Sequence, residues 1–435
     1  MLQKVKSHKH YDKAIHWGKL VSITGSVQII IQVVGFVSGV MIIRLLPVQE
    51  YALYTIANTM LGTMTLLADG GISTSVMAEG GKVWQDKKKL GIVLKTGLEL
   101  RKKFAIGSLL ISLPILFYLL LHNGASLLTS ILITTSLIPA FFAALSDTLL
   151  EIVPKLHQDI LPLQKNQLSV GIGRLILTGL TIFIFPWTFV AILASGIPRI
   201  YGNIKLRKIS ESFVDKEQTS DPIVQKVILK VVKRNMPGAI YYCISGQISI
   251  WLISLFGNTT SIAQIGAIGR IAIMLGIVNS LFSTLVVPRF SRIQNQPEKL
   301  INIYTKLLLL ISTLSILIIL ASYLFSNQIL WILGENYLKL NYELVLLIIS
   351  SSINLIMALS LNLTLNRGWV LNPIISISLQ IIPTIIGCIV FNISTLTGVL
   401  YMNILVSITQ MIVYILYGYY KLFNLKKAEF ESTKV

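Results

Sequence analysis

Between Tyr51 and Ala68 the chain runs for 18 residues without a charge. A helix of that length spans about 27 Å, close to the hydrocarbon thickness of a bilayer. Glu50 stands before the run, Asp69-Gly70-Gly71 closes it, and Pro47 breaks the chain ahead of it. Comparable apolar runs recur at about 20–46, 104–121, 127–154, 166–185, 187–203, 236–256, 262–287, 307–325, 343–365, 372–391 and 398–420. Lipid offers backbone groups no hydrogen-bond partners, so such segments fold as helices that satisfy their own N–H and C=O groups. The alternating ten-residue pattern of a membrane barrel is absent. Only 13% of residues are charged and 54% are hydrophobic, against about 25% charged in soluble domains. The expected fold is all-α: a polytopic membrane protein with twelve transmembrane helices in two six-helix lobes around a central cavity.

The net charge of +19 raises nucleic acid as a partner, but its distribution points to membrane topology instead. Of the 37 Lys and Arg residues, 34 fall on one side if the N-terminus is cytoplasmic, with Arg44 and Lys339 opposite and Arg270 within a span. The positive-inside rule then places both termini in the cytoplasm, and no nucleic-acid partner is expected. The polar stretch 204–235 divides the chain into an N-terminal lobe, 1–210, and a C-terminal lobe, 211–435. Inside it Asp221-Pro222 reads as a helix start, followed by an apolar stripe at Val224, Val227, Ile228, Val231 and Val232. Residues 82–103 read as an amphipathic surface helix leading into the third span, and Tyr11–Lys19 as a short interfacial one with Trp17 at headgroup level. In the longest outer loop, 326–342, Trp331 and Tyr337 are expected interface anchors. The first apolar run, 20–43, is too long for the core of a cleavable leader, so none is expected. Cys243 and Cys388 lie in apolar runs and read as small buried hydrophobes. The five histidines lack metal-ligand spacing, so no metal site and no cofactor is expected.

The design around Tyr51 returns more loosely in the second half. In 42–77 and again in 253–290 a span ends, a short polar turn follows, and a long apolar span runs to a basic link. The segments RLLPVQEYALYTIANTMLGTMTLLADGGIS and IGAIGRIAIMLGIVNSLFSTLVVPRFSRI resemble those of Wzx-type bacterial polysaccharide flippases. These O-antigen and capsule repeat-unit translocases belong to the multidrug/oligosaccharidyl-lipid/polysaccharide exporter superfamily. The resemblance extends over the whole chain in span number and loop lengths, although many relatives have Gly before the aromatic where this chain has Glu50-Tyr51-Ala52. It implies a non-enzymatic transporter of the bacterial cytoplasmic (inner) membrane. Such a protein moves an oligosaccharide linked to undecaprenyl pyrophosphate to the outer leaflet by alternating access. Its implied partners are that lipid-linked oligosaccharide, membrane lipids, and the polysaccharide polymerase and chain-length machinery.

Ionisable groups inside a bilayer cost at least about 2.5 kcal/mol each and therefore mark function or pairing. Arg270, eight residues into its span, is the leading candidate for a cavity cation that attracts pyrophosphate. Arg174 and Arg44 are further candidate cavity cations; Arg44 equally suits lipid phosphate at the outer face. Asp147 and Glu151, four residues apart on one helix face, form either a coupling cluster or, with Arg174, a structural ion pair. Arg199 and Arg234, with Lys233, are topology anchors and a candidate inner entrance for the substrate pyrophosphate. Asp69 reads as a helix-end residue. Asn235, Gln247, Asn279, Asn354, Asn362 and Gln380 suit either sugar hydroxyls or interhelical hydrogen bonds.

Two other functions compete. A cation-coupled multidrug or small-molecule exporter of the same superfamily would be expected to carry acids in mid-span, yet the first and third spans have none. A polysaccharide polymerase or ligase needs a large outer loop with basic catalytic residues, and 326–342 holds one lysine. A nucleotide-driven pump is disfavoured because no G-x-x-x-x-G-K-[ST] loop occurs.

Overall fold

The computed structural model describes residues 27, 29–286, 290, 293, 296–365, 367, 369 and 371–432. The interfacial helix expected at Tyr11–Lys19 lies outside the described residues. In chain order the helices are α1 (Ile29–Leu45), α2 (Val48–Asp69), α3 (Ile72–Val83), α4 (Lys87–His122), α5 (Leu127–Leu150), α6 (Ile152–Leu156), α7 (Ile160–Ile184) and α8 (Thr188–Glu211). They continue as α9 (Pro222–Ser245), α10 (Ile248–Phe256), α11 (Thr259–Leu285), α12 (Pro297–Leu324), α13 (Ser326–Leu333), α14 (Asn341–Leu365), α15 (Pro373–Val390) and α16 (Leu396–Ser432). The protein is an all-helical, multi-pass membrane protein. Seven of the described helices are long and apolar enough to cross a bilayer. The other passages expected from the sequence correspond to α1, α2, α8, the α9–α10 pair and α15. Large apolar side chains face outward at mid-helix, among them Leu110, Ile176 and Ile382, as lipid-facing surfaces require.

The chain separates into two compact units, Met1–Ile244 and Ser245–Val435. The sequence division at 210/211 leaves α9 with the second half. By packing it sits with the first, because Ile228 and Val232 on its apolar stripe enter the same core as Leu90, Val93, Leu149 and Val153. In the second unit α14 packs against α12 and α16, and α15 against α16. Tyr304 is buried there, its hydroxyl 2.7 Å from that of Ser360, which donates to the Tyr414 carbonyl. Asn354 on α14 donates to Ser407 on α16 at 3.0 Å, so this asparagine makes an interhelical hydrogen bond.

Local chemistry explains the boundaries in the first unit. Gly70 and Gly71 take positive φ and stop α2. The segment 82–103 is not one surface helix: α3 ends at Val83, and Asp86 restarts the chain by accepting from the amides of Lys88 and Lys89. From there α4 runs unbroken for 36 residues, so the amphipathic part and the third span are one helix. At the other end of α2, Glu50 accepts from the amide of Thr188 at 2.7 Å and from its hydroxyl, capping α8 from 138 residues away. Tyr337, an expected interface anchor, is instead buried in the loop around the short 3-10 turn Glu335–Tyr337, whereas Trp331 is exposed.

Candidate functional site

Four helices of the first unit, α2, α5, α7 and α8, border a cavity of about 320 Å³. Helical periodicity brings the polar groups together. Asn166, Val170 and Arg174 recur every four residues on one face of α7, and Ser195, Arg199 and Leu206 share a face of α8. Helices α7 and α8 approach closely at Gly202, where an added Cβ would lie 2.2 Å from a methyl of Val170. The Gly202 carbonyl accepts from Asn166 Nδ2 at 2.9 Å.

Helix α2 supplies Tyr54 and Asn58. It is buried around much of its circumference, including Thr55, Thr59 and Thr63. A span rich in Tyr, Asn and Thr is tolerated because it faces other helices rather than lipid.

Four of the seven residues singled out from the sequence, Arg174, Asp147, Glu151 and Arg199, line this one cavity. Their pairing differs from the expected Arg174–Asp147 contact. Asp147 is held by Arg199 Nε at 3.0 Å and by Asn203 Nδ2 at 2.7 Å. The cause is helix order in space: α5 packs extensively on α8, whose Arg199 and Asn203 share one face. Glu151 accepts from Lys155 at 2.7 Å and from Gln167 at 3.0 Å. Arg174 lies 14 residues into α7, about 21 Å along the helix. Its Nη2 reaches Tyr54 Oη at 3.4 Å, and its buried Nε has no hydrogen-bond partner among the described residues. No ion pair to Arg174 occurs among the described residues. The cavity thus presents two carboxylates, each paired with a cation, and one further cation, Arg174, whose side chain has a phenol as its one hydrogen-bond partner among the described residues.

The other three sequence candidates lie elsewhere. Arg44 is exposed at the end of α1. Arg234 is exposed on α9 and does not line this cavity. Arg270 is half-buried on α11 in the second unit.

The sequence reading missed the most buried charge among the described residues of the first unit. Arg101 on α4 is 2% exposed. It pairs with Asp69 and donates to the Ser73 hydroxyl at 2.6 Å, the Leu145 carbonyl at 2.6 Å and the Thr148 hydroxyl. Asp69 also accepts from the Ser73 amide at 3.0 Å. The signal was present: Arg101 follows Leu90 by eleven residues and Leu94 by seven, which places it on the apolar face of α4.

The fold resembles solved transporters over nearly its whole length. One is an inward-facing multidrug resistance MATE family transporter of the MOP superfamily, with a TM-score of 0.73 at 15% identity, covering 91% of this chain and 96% of that one. An outward-facing multidrug resistance MATE family transporter gives 0.61 at 14% identity, covering 94% and 95%. A single-site variant of the Vibrio cholerae MATE transporter VcmN gives 0.60 at 17% identity, covering 93% and 98%. The sequence matches no protein-family model and no curated protein sequence. The chain has the MATE transporter fold.

Proposed function

We propose that this protein is an alternating-access membrane transporter whose cargo is an anionic amphiphile, namely an oligosaccharide carried on a polyprenyl pyrophosphate. The transport half of the reading is supported by a fold shared with transporters solved in inward- and outward-facing states. The cargo half is carried by one observation, Arg174, a mid-helix cation that lines a polar cavity and has Tyr54 as its one side-chain hydrogen-bond partner among the described residues. A guanidinium with unused donors in a low-dielectric site is suited to phosphate oxygens. Arg270 on α11 is a second intramembrane cation for the same cargo. In this reading the protein works in the bacterial cytoplasmic membrane with both termini inside, and hands repeat units to a polysaccharide polymerase and its chain-length machinery.

A second reading is cation-coupled export of drugs or other small molecules. The names of the similar solved structures favour it, with Asp147 and Glu151 as the coupling carboxylates. Deleting the gene and analysing lipid-linked intermediates separates the two. Accumulation of undecaprenyl-linked repeat units on the inner leaflet supports the first reading. Hypersensitivity to drugs with unchanged lipid intermediates supports the second. Complementation with Arg270→Ala is expected to abolish repeat-unit export with normal membrane insertion; wild-type surface polysaccharide at normal expression would remove Arg270 from the mechanism.

A further inference from the structure

A larger cavity of the first unit, about 500 Å³, shares no lining residue with the polar one. It occupies the space between α4 and α8 over the face of α5, which packs on both. Its floor is apolar, with Leu98, Phe142 and Ile200, and Phe142 is 42% exposed, so the floor opens to the lipid-facing side. Its rim carries Lys95, Lys102 and Arg207.

The link 212–221 closes the basic end. The Asp215 amide donates to the Lys87 carbonyl at 3.0 Å, and the Asp221 amide donates to the Thr96 hydroxyl at 3.1 Å. Gly91 permits this approach, since a Cβ there would lie 2.6 Å from the Asp215 carbonyl oxygen.

Most other charges on the wall are already engaged. Lys216 pairs with Glu211 at 2.9 Å, Arg101 with Asp69, and Asp215 accepts from Gln218 and from the Glu217 amide. Glu99 remains, against Lys95, Lys102 and Arg207, which have no ion-pair partner among the described residues. Three cations above an apolar groove open to lipid match one amphiphile, a phosphate headgroup with an acyl chain attached. A soluble phosphate would leave the floor empty, and an apolar helix would leave the rim unmatched.

We propose that this cavity binds an anionic phospholipid of the leaflet at the basic end, with its phosphate at Lys95, Lys102 and Arg207 and an acyl chain along Leu98, Phe142 and Ile200. The positive-inside rule makes that leaflet the cytoplasmic one. The full chain, purified in detergent, is titrated with dioleoylphosphatidylglycerol and with dioleoylphosphatidylcholine, and retained lipid is counted by native mass spectrometry. Preferential retention of the anionic lipid is expected, falling about fivefold for each charge removed in the series Lys95→Gln, Lys102→Gln, Arg207→Gln. The exposed lysines Lys88, Lys205 and Lys208 line neither cavity, and their glutamine variants are expected to keep the preference. Equal retention of the two lipids by the unaltered chain overturns the proposal even if a variant fails to fold. An equal loss in the control series also overturns it, because the attraction then belongs to the whole basic surface. Displacement of phosphatidylglycerol by a polyprenyl pyrophosphate at lower concentration overturns it as well, and assigns the cavity to cargo.

Discussion

Arg101 and Arg174 lie on different helices of the same unit, and their surroundings are opposite. Arg101 is held through both terminal nitrogens: a carboxylate, two hydroxyls and a backbone carbonyl answer them, while its Nε has no partner among the described residues, and it ties α4 to both ends of the α2–α3 turn and to α5. Arg174 has a single long contact to a phenol and a cavity in front of it. A buried charge that is ion-paired and hydrogen-bonded to several helices fixes geometry and has little left to offer a ligand. One whose donors are unanswered costs stability and is retained where something else answers them. The contrast gives Arg101 an architectural role and leaves Arg174 for the cargo role of the proposed function.

The largest effect on stability is therefore expected at Arg101. Replacing it with Leu leaves Asp69 and Ser73 facing an apolar side chain, and loss of one partner of a buried pair costs about 3 kcal/mol or more. The full chain in detergent should melt at clearly lower temperature. Adding Asp69→Asn to Arg101→Leu should recover part of the loss, because no uncompensated carboxylate remains. An unchanged melting temperature for Arg101→Leu would break the contrast at its structural side.

A smaller, pH-dependent effect belongs to the exposed basic end. Asp86 caps α4, and the hydrogen bond from the Lys89 amide holds its carboxyl below the usual aspartate range. A lowered folded pKa means the unfolded chain binds the proton more readily. The cap's contribution is therefore complete above the unfolded pKa, about 4, and is lost as pH falls through the folded value. Amide exchange at Lys88 and Lys89 should be protected at neutral pH and lose protection in acid, after correction for intrinsic rates. In Asp86→Asn, which keeps the acceptor without the charge, the residual protection should not vary over that range. Equal acid sensitivity in both proteins would show that the start of α4 is held by something other than this carboxylate.

Much of this architecture was legible in the sequence, and the exceptions share a cause. The charge-free run from Tyr51 to Ala68 lies inside α2, and Asp221-Pro222 does begin a helix, with Asp221 accepting from the Ile223 amide. Local chemistry determined these features, through turn residues, caps and apolar length. The partner of Asp147 was not legible, because choosing Arg199 over Arg174 depends on how α5, α7 and α8 are rotated about their axes, which apolar periodicity in lipid barely constrains. The role of Arg101 was hidden by its neighbours: Lys102 and Lys103 are exposed, and a cluster of three basic residues reads as a topology signal before it reads as one buried arginine and two surface lysines. Asp69 was placed correctly at the end of α2, but its partner is 32 residues further on and on another helix.

The smallest stability effect, and the sharpest test of the contrast, is expected at Arg174 itself. In Arg174→Leu the single hydrogen bond to Tyr54 is lost, a term of about 1 kcal/mol. Against it stands the removal of an intramembrane charge that costs about 2.5–3.5 kcal/mol on insertion scales. The variant should therefore melt no lower than the parent chain and should insert normally, while repeat-unit export is lost. Arg174→Lys keeps the charge but not the planar fork, so it should retain only part of the export. Destabilisation of Arg174→Leu on the scale of Arg101→Leu would mean that Arg174 is also structural. Full export by Arg174→Leu would leave the cavity without a cargo role. Only a stable, export-deficient protein upholds the division between an arginine that builds the helical unit and one that the unit holds ready for a ligand.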